Sequence, residues 1–412
     1  MLMLKLAFRN ILRNRRRTIL TILSMFGGYV LMSVQLSVTE GSYDQMLEFY
    51  TKDTTGHVQI TTPGFVERPT LYKSVPVSED IMSALSEQPD VQAVTARIES
   101  SALAYGDTKS FPVEVKGVHP GREADLSYLA DKVSEGDYLT GDPDSDGYYE
   151  AMIGAQAARQ LNLGIGDELV LISQGADGSL ANDLYRISAI LGQPEDAEAR
   201  WVVLPLAAAQ AFYVMPGEAH RLIVLGRNHH QARTLETQLQ NWVDNRWPES
   251  DYRATAWQDV AKDFYRTMQA DKEGGQVTLY ILVFLVCIGV LNTVLMSVME
   301  RTGEFGVLKA IGTSPSRLFW LIVLETLVLA FSACVIGVLA AWPINAWFTA
   351  VGIEMAEPME ISGIVFSHYK GQLSWYVFAY PAVVILLAAV IIALMPGLRA
   401  ARIVPVDAMR TL

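Results

Sequence analysis

The chain has 412 residues, 51% of them hydrophobic, and a formal net charge of −12. Long apolar runs set among charged stretches argue against an ordinary soluble enzyme, and so acidic a balance argues against nucleic acid as the partner. The only cysteines, Cys287 and Cys334, fall inside apolar runs, so the polar part must fold on its hydrophobic core without disulfides.

Residues 1–17 form a basic N-terminal segment with Lys5, Arg9, Arg13, Arg15, Arg16 and Arg17. The apolar window that follows, 18–38, is the first of four that reach the roughly 20 residues a bilayer core requires; the others are 277–298, 318–341 and 375–395. The first is longer than a typical signal-peptide core and is read as an uncleaved signal-anchor. Beyond it Tyr43, Met46, Leu47 and Tyr50 keep helical spacing, so 18–50 is expected as transmembrane helix 1 with a stalk that rises out of the membrane.

Residues 51–257 carry most of a polar insert whose 19 basic residues face 37 acidic ones between positions 40 and 276. Strand-like runs at 57–62, 91–105, 111–118, 168–173, 185–191, 201–204 and 222–225 alternate with helix-like stretches at 78–88, 154–161, 206–213 and 230–243. This mixture predicts an α+β domain of two lobes. Asp142, Asp144 and Asp146 reproduce the first half of a calcium loop, but Ile153 stands where the bidentate Glu belongs, which favours a solvated acidic turn. His229-His230 reads as a polar helix start, because adjacent side chains diverge and no third ligand is near in sequence.

Val260, Phe264 and Met268 share a face ahead of the second span, so 258–298 is expected as a second stalk and transmembrane helix 2, with a hinge at Gly274 and Gly275. Residues 299–317 interleave charge and apolarity. Glu300 and Glu304 lie one turn apart, and Phe305, Leu308 and Ile311 could form an apolar edge for a partner's groove. Transmembrane helix 3 at 318–341 contains Glu325, and an intramembrane carboxylate is functional by default. A loop at 342–374, transmembrane helix 4 at 375–395 and a basic tail at 396–412 complete the chain. Basic residues stay on the cytoplasmic side of spans. Arg301, Lys309 and Arg317 in the loop after span two, and Arg399, Arg402 and Arg410 in the tail, therefore place both termini in the cytoplasm and the large domain outside.

The run Glu300-Arg301-x-x-Glu304-Phe305-Gly306-x-x-Lys309-Ala310-x-Gly312 resembles the signature of the MacB/FtsX-like family of ABC-transporter permeases. Segments 153–170 and 396–410 are similar to the family's periplasmic core and ending, and 6–14 and 56–60 most resemble its lipoprotein-releasing, LolC/LolE-like branch. The resemblance implies an α-helical membrane protein with four transmembrane helices, one plus three, and a large α+β periplasmic domain in a bacterial inner membrane. It implies that Glu300, Arg301, Glu304, Phe305, Gly306, Leu308, Lys309, Ala310 and Gly312 form the segment that couples to a cytoplasmic ABC ATPase dimer. ATP and Mg belong to that partner, since no G-x-x-x-x-G-K-[ST] occurs here and no catalytic set stands out.

A second permease copy or paralogue is expected. A lipidated or hydrophobic substrate would enter laterally at Gly27, Gly28, Tyr43, Met46, Leu47, Tyr50, Val260, Phe264 and Met268, and pass to a periplasmic carrier. The resemblance also implies that Glu325 bonds within the bundle. One departure stands out: the loop at 174–182 is short, where carrier-recruiting relatives have a long hairpin. Export of a peptide, drug or other small molecule with periplasmic and outer-membrane partners is the alternative, as is activation of a periplasmic hydrolase.

Overall fold

The computed structural model describes residues 15–106, 108–361 and 364–404, apart from the side chains of Arg17 and residues 355–367. The 6–14 motif, the basic residues before position 15 and the tail beyond 404 lie outside the described residues.

Helix α1 (Arg15–Tyr50) runs into a π-helical turn (Thr51–Thr55). The polar domain then lays down β1 (Val58–Thr61), β2 (Val75–Pro76), α2 (Glu79–Ser86), β3 (Val91–Tyr105), β4 (Ser110–Val118), α3 (Pro120–Leu126) and β5 (Val133–Gly136). It continues with β6 (Glu150–Gly154), α4 (Ala155–Leu161), β7 (Glu168–Gln174), β8 (Leu180–Leu191), β9 (Trp201–Pro205) and α5 (Leu206–Phe212). After β10 (Glu218–Ala219) come β11 (Arg221–Gly226), α6 (Ala232–Arg246), β12 (Arg253–Ala256) and α7 (Trp257–Val260). The chain returns through α8 (Lys262–Glu300), α9 (Thr302–Ala310), α10 (Pro315–Ala350), the paired strands β13 (Ile353–Ile361) and β14 (Ile364–Tyr369), and α11 (Trp375–Ala401).

Four helices among the described residues are long and apolar enough to cross a membrane: Thr18–Thr55, Lys262–Glu300, Pro315–Ala350 and Trp375–Ala401. All exceed the apolar windows read from the sequence, because a helix continues into polar flanks wherever its backbone bonds are satisfied. The helical spacing of Tyr43 to Tyr50 is realised in α1. That of Val260 is not: the chain breaks at Ala261, φ −106° and ψ 53°, which puts Val260 in α7 and Phe264 and Met268 in α8. Gly274 and Gly275 lie inside an unbroken α8, so no hinge interrupts the helix there.

Two compact units result. The helical unit packs Met25, Tyr29, Val290, Val294, Phe305, Leu318, Ile322, Ala333 and Ile385 into one core. In lipid such cores gain from close packing and from interhelical hydrogen bonds rather than from hydrophobic transfer. Accordingly the Tyr29 hydroxyl donates to the Phe378 carbonyl at 2.8 Å, and Asn345 Nδ2 donates to Ser33 Oγ at 2.9 Å.

In the other unit ten strands form one sheet, in the order β12-β1-β11-β3-β4-β9-β6-β8-β5 with β7 bridging β3 and β8. Strand β3 works twice. Its first half pairs with β11, and its last residues, Leu103 to Tyr105, pair with β7. Since β7 pairs with β8, β8 with β6, β6 with β9 and β9 with β4, six strands close on themselves through β3. That closed lobe and the lobe built on β11, β1 and β12 share a core that includes Ile60, Val94, Ile98, Val115, Ile153, Leu171 and Val224. Gly154 ends β6 where a Cβ would stand 2.2 Å from the Glu198 carbonyl, so only glycine fits at the start of α4.

Candidate functional site

Helix α9 is bounded by local chemistry. Gly312, at φ +98°, donates its N–H to the Lys309 carbonyl at 3.0 Å, and the Thr313 N–H reaches the Leu308 carbonyl at 3.0 Å. These are the paired bonds of a Schellman stop, which explains glycine at this point of the motif. Pro315 then opens α10 at its first turn.

Arg301 caps the start of α9 and ties it to the bundle. Its Nη1 donates to both carboxylate oxygens of Glu325 in α10, at 3.1 and 3.0 Å, and its Nε donates to Glu304 at 3.2 Å. The guanidinium also lies 5.0 Å from the Phe305 ring centroid. Arg301 and Glu325 are both buried. Around them Thr18, Thr21, Thr293, Ser297 and Thr326 line a cavity of about 20 Å³, space for a single water. The intramembrane carboxylate thus has a partner 24 residues earlier in the chain, which hydropathy could not reveal.

The other end of α9 is held by Lys309. Its Nζ donates to the carbonyls of Ala401 and Ile403 at 2.9 and 2.7 Å, where a cation also offsets the negative end of α11. Phe305 is 1% exposed and Gly306 is buried, so the apolar edge expected from Phe305, Leu308 and Ile311 divides. Phe305 joins the bundle core and Leu308 packs partly against it, because the bundle itself offers that face an apolar surface. Only Ile311, 76% exposed, points outward, with Glu300, Glu304, Val307 and Ala310. Positions 304, 307 and 311 follow one side of α9 and its end, while Glu300 belongs to the end of α8; Val307 is the member that the sequence reading missed.

Parts of α1 and α8 meet within each unit, and each unit holds part of the expected entry set. A Cβ on Gly28 would stand 2.3 Å from Val286 Cγ2, so the two helices touch there, whereas Gly27 faces open space. Within the helical unit the Tyr43 hydroxyl donates to Asp271, and Lys272 donates to Glu40 at 2.8 Å. Within the sheet-bearing unit Tyr50 stacks on Phe264, ring centroids 4.0 Å apart, and Leu47 is buried. Met46 and Met268 are half-buried, as is Val260 on its separate helix. The polar latches through Asp271, Glu40 and Lys272 leave no trace in an apolar periodicity.

The π-helical turn after α1 is fastened by buried charge. Lys132 Nζ lies 2.7 Å from Asp53 Oδ2 and 3.7 Å from Glu198, while Arg97 Nη1 donates to the carbonyls of Asp53 and Thr54. Beside it His57 Nδ1 accepts the Gly226 N–H at 3.0 Å. Burial, reinforced by His229 and Lys52, pushes the His57 imidazole down to about 4.

The acidic turn uses up its own carboxylates: Asp144 accepts the Asp146 and Tyr148 N–H groups and the Arg186 guanidinium, and Arg186 also lies 3.5 Å from Asp146. Asp142 stands outside these bonds. The loop expected at 174–182 is tighter still. Gln174 pairs with Leu180, Ser173 with Ala181 and Ile172 with Asn182, leaving a turn at Gly175 to Ser179.

The family model of the MacB-like periplasmic core domain matches residues 18–242, more than half of the chain. The chain belongs to the MacB/FtsX family of ABC-transporter permeases. The FtsX-like permease C-terminal model matches residues 277–405, which takes in α9, α10 and α11. This permease is 21% identical to the lipoprotein-releasing system transmembrane protein LolE of Haemophilus influenzae over 92% of this chain and 90% of that protein. It is 24% identical to the macrolide export ATP-binding/permease protein MacB of a Shewanella species, over 98% of this chain and 60% of that protein. The crystal structure of the periplasmic region of MacB from Actinobacillus actinomycetemcomitans superposes with a TM-score of 0.39 at 15% identity, covering 53% of this chain and 97% of that one.

Proposed function

We propose that this permease is the membrane subunit of an ABC complex in which a separate ATPase dimer, carrying ATP and Mg, pushes on α9. The displacement would pass along α1 and α8 to the periplasmic domain, and lipidated substrate would leave the inner membrane by a path that opens between α1 and α8. The observation that carries this reading is the construction of α9: one face pinned by Arg301–Glu325 and by Lys309, the opposite side exposed at Glu304, Val307 and, just past its end, Ile311. A helix held so firmly cannot yield without moving the bundle, which is what a two-state coupling element requires. Both termini are cytoplasmic in this reading, the basic loops lie on the ATPase side, and a second permease copy or paralogue completes the path. Similarity to LolE over nearly the full length of both proteins supports a lipoprotein as cargo.

Export of a small hydrophobic molecule is the second reading. It is favoured by the similarity to MacB and by the tight β7–β8 turn, which offers a periplasmic carrier no long hairpin. One experiment separates them. The permease is reconstituted with its ATPase in liposomes loaded with a lipoprotein, and ATP-dependent release to a soluble acceptor is measured. Release supports the first reading; no release, with ATPase stimulated by macrolide-like compounds instead, overturns it.

A further inference from the structure

Where β14 gives way to α11, residues 370–372 are wedged between α1 and α10. On α1, Tyr29, Ser33, Ser37, Gly41 and Asp44 follow one another every three or four residues and so share a face. Each meets a partner outside its own helix. The Tyr29 hydroxyl holds the Phe378 carbonyl of α11, and a Cβ on Gly337 of α10 would lie 2.5 Å from the Tyr29 ring. Ser33 Oγ accepts Asn345 Nδ2 of α10. Ser37 exchanges two bonds with Gln372: its Oγ donates to the Gln372 carbonyl, and its carbonyl accepts the Gln372 N–H, both at 2.9 Å. The Gln372 amide then donates to Asp44 Oδ2 at 2.6 Å. Tyr29, Ser33, Ser37 and Asn345 are wholly buried.

Two glycines make the wedge possible. A Cβ on Gly41 would stand 2.5 Å from the Lys370 carbonyl oxygen, and one on Gly371 would stand 2.7 Å from Ser37 Oγ and 3.0 Å from Phe348 Cβ. Gly371 also donates its N–H to the Phe348 carbonyl at 3.0 Å. Glycine lets backbones approach this closely, and the bonds around the contact must break together before either helix can slide.

Helix α8 is held differently. Of its 39 residues only Leu279, Val290, Val294 and Val298 are buried, against thirteen of the 36 in α10. It meets α1 through side-chain packing, Val286 on Gly28 and Leu279 beside Met32 and Leu36, and through the Lys272–Glu40 and Tyr43–Asp271 links. Inside the sheet-bearing unit the contrast recurs. Buried Lys132 and Arg97 grip the turn that follows α1, whereas the chain breaks at Ala261 just before α8.

We propose that residues 370–372 lock α1 to α10 and α11, so that the path between α1 and α8 opens by displacement of α8 alone, with release of the Lys272–Glu40 and Tyr43–Asp271 links. This rests on the reading of that path as the route of the substrate. One helix shifting against a fixed block is a common form of switching transition.

The test uses the full chain with its ATPase in lipid nanodiscs, with Cys287 and Cys334 replaced by Ala. Nitroxide spin labels are placed at exposed positions, and labelled permease is diluted with unlabelled so that distances within one chain dominate. One pair spans α1 and α10, Leu31→Cys with Leu339→Cys; the other spans α1 and α8, Leu31→Cys with Ile281→Cys. Distances are measured without nucleotide and with ATP and vanadate. The α1–α8 distance is expected to shift by more than about 2 Å while the α1–α10 distance stays constant. In Gly371→Ala, for whose Cβ the wedge has no room, the α1–α10 distance should become nucleotide-dependent. An α1–α10 shift as large as the α1–α8 shift in the parent overturns the proposal and leaves the ATPase-driven reading standing. So does a constant α1–α10 distance in a Gly371→Ala protein that still inserts and binds the ATPase. No shift in either pair while ATP is hydrolysed overturns both.

Discussion

Arg301 and Glu325 form a buried ion pair, one guanidinium nitrogen reaching both carboxylate oxygens, and it joins the start of α9 to the interior of α10. Breaking a buried pair on one side strands a charge at about 3–5 kcal/mol, whereas replacing both partners with apolar groups is often neutral. Glu325→Gln and Arg301→Met are therefore each expected to lower the melting temperature in detergent markedly, and Arg301→Met with Glu325→Met together to recover most of it. A thermal double-mutant cycle measures this. If Glu325→Gln were fully stable and assembled yet lost ATP-coupled activity, a chemical role for the carboxylate would replace the structural one.

Val307 and Phe305 should separate docking from folding. Val307→Asp places charge on the exposed stripe of α9, so the protein should insert and melt as before while co-purification with the ATPase is lost. Phe305→Ala removes a buried ring at about 3–5 kcal/mol and should instead reduce stability. Equal ATPase recovery by Val307→Asp and the parent would remove the stripe from the docking surface. Glu304→Lys is expected to lose ATPase binding as well, but it also sets a cation against Arg301, which makes Val307 the cleaner probe.

Gly28 and Val286 offer a lock for the proposed entry path between α1 and α8. A Cβ on Gly28 would lie 3.4 Å from the Val286 Cβ, close to disulfide geometry. With Cys287 and Cys334 replaced by Ala, the Gly28→Cys/Val286→Cys protein is expected to cross-link on oxidation and to lose substrate release, with activity returning on reduction. Undiminished release by the cross-linked form would place the entry path elsewhere.

His57 should write a pH dependence into the periplasmic domain. Its imidazole is held near 4 in the fold against 6.5 unfolded, so the unfolded chain binds more protons between those values. The stability this group contributes is fully present above pH 6.5 and falls as pH drops toward 4, by about 3 kcal/mol in all. Melting temperatures from pH 7.5 to 4 should decline with this component, and His57→Gln should flatten it. An identical slope in the variant would assign the decline to other groups.

Much of the fold was legible in sequence because its signals are local. Strand β3 was read at its observed ends, since its fifteen residues are rich in residues that favour strands and are bounded by turns. Strand β8 was read five residues short, because Leu180 to Leu184 gain their strand geometry from pairing with β7 rather than from their own alternation. The short strands β2, β5, β6, β10 and β12 were missed for the same reason, and β13 and β14 fall in the stretch read as a loop at 342–374. At the site, Gly312 was legible as part of a motif, but its left-handed φ and the bonds it makes needed coordinates.

The sequence by itself determined four membrane-length apolar helices, a large acidic α+β domain without disulfides, and the charged segment between the second and third of those helices. Each of these rests on composition or on a period of two or 3.6 residues. Only the tertiary structure decided that Phe305 turns inward while Val307 turns out, that Arg301 answers Glu325 and Lys309 the end of α11, and that residues 370–372 wedge between α1 and α10. Such choices depend on which surface a neighbouring element presents and on where buried charge finds its partner. Both are properties of residues far apart in the chain.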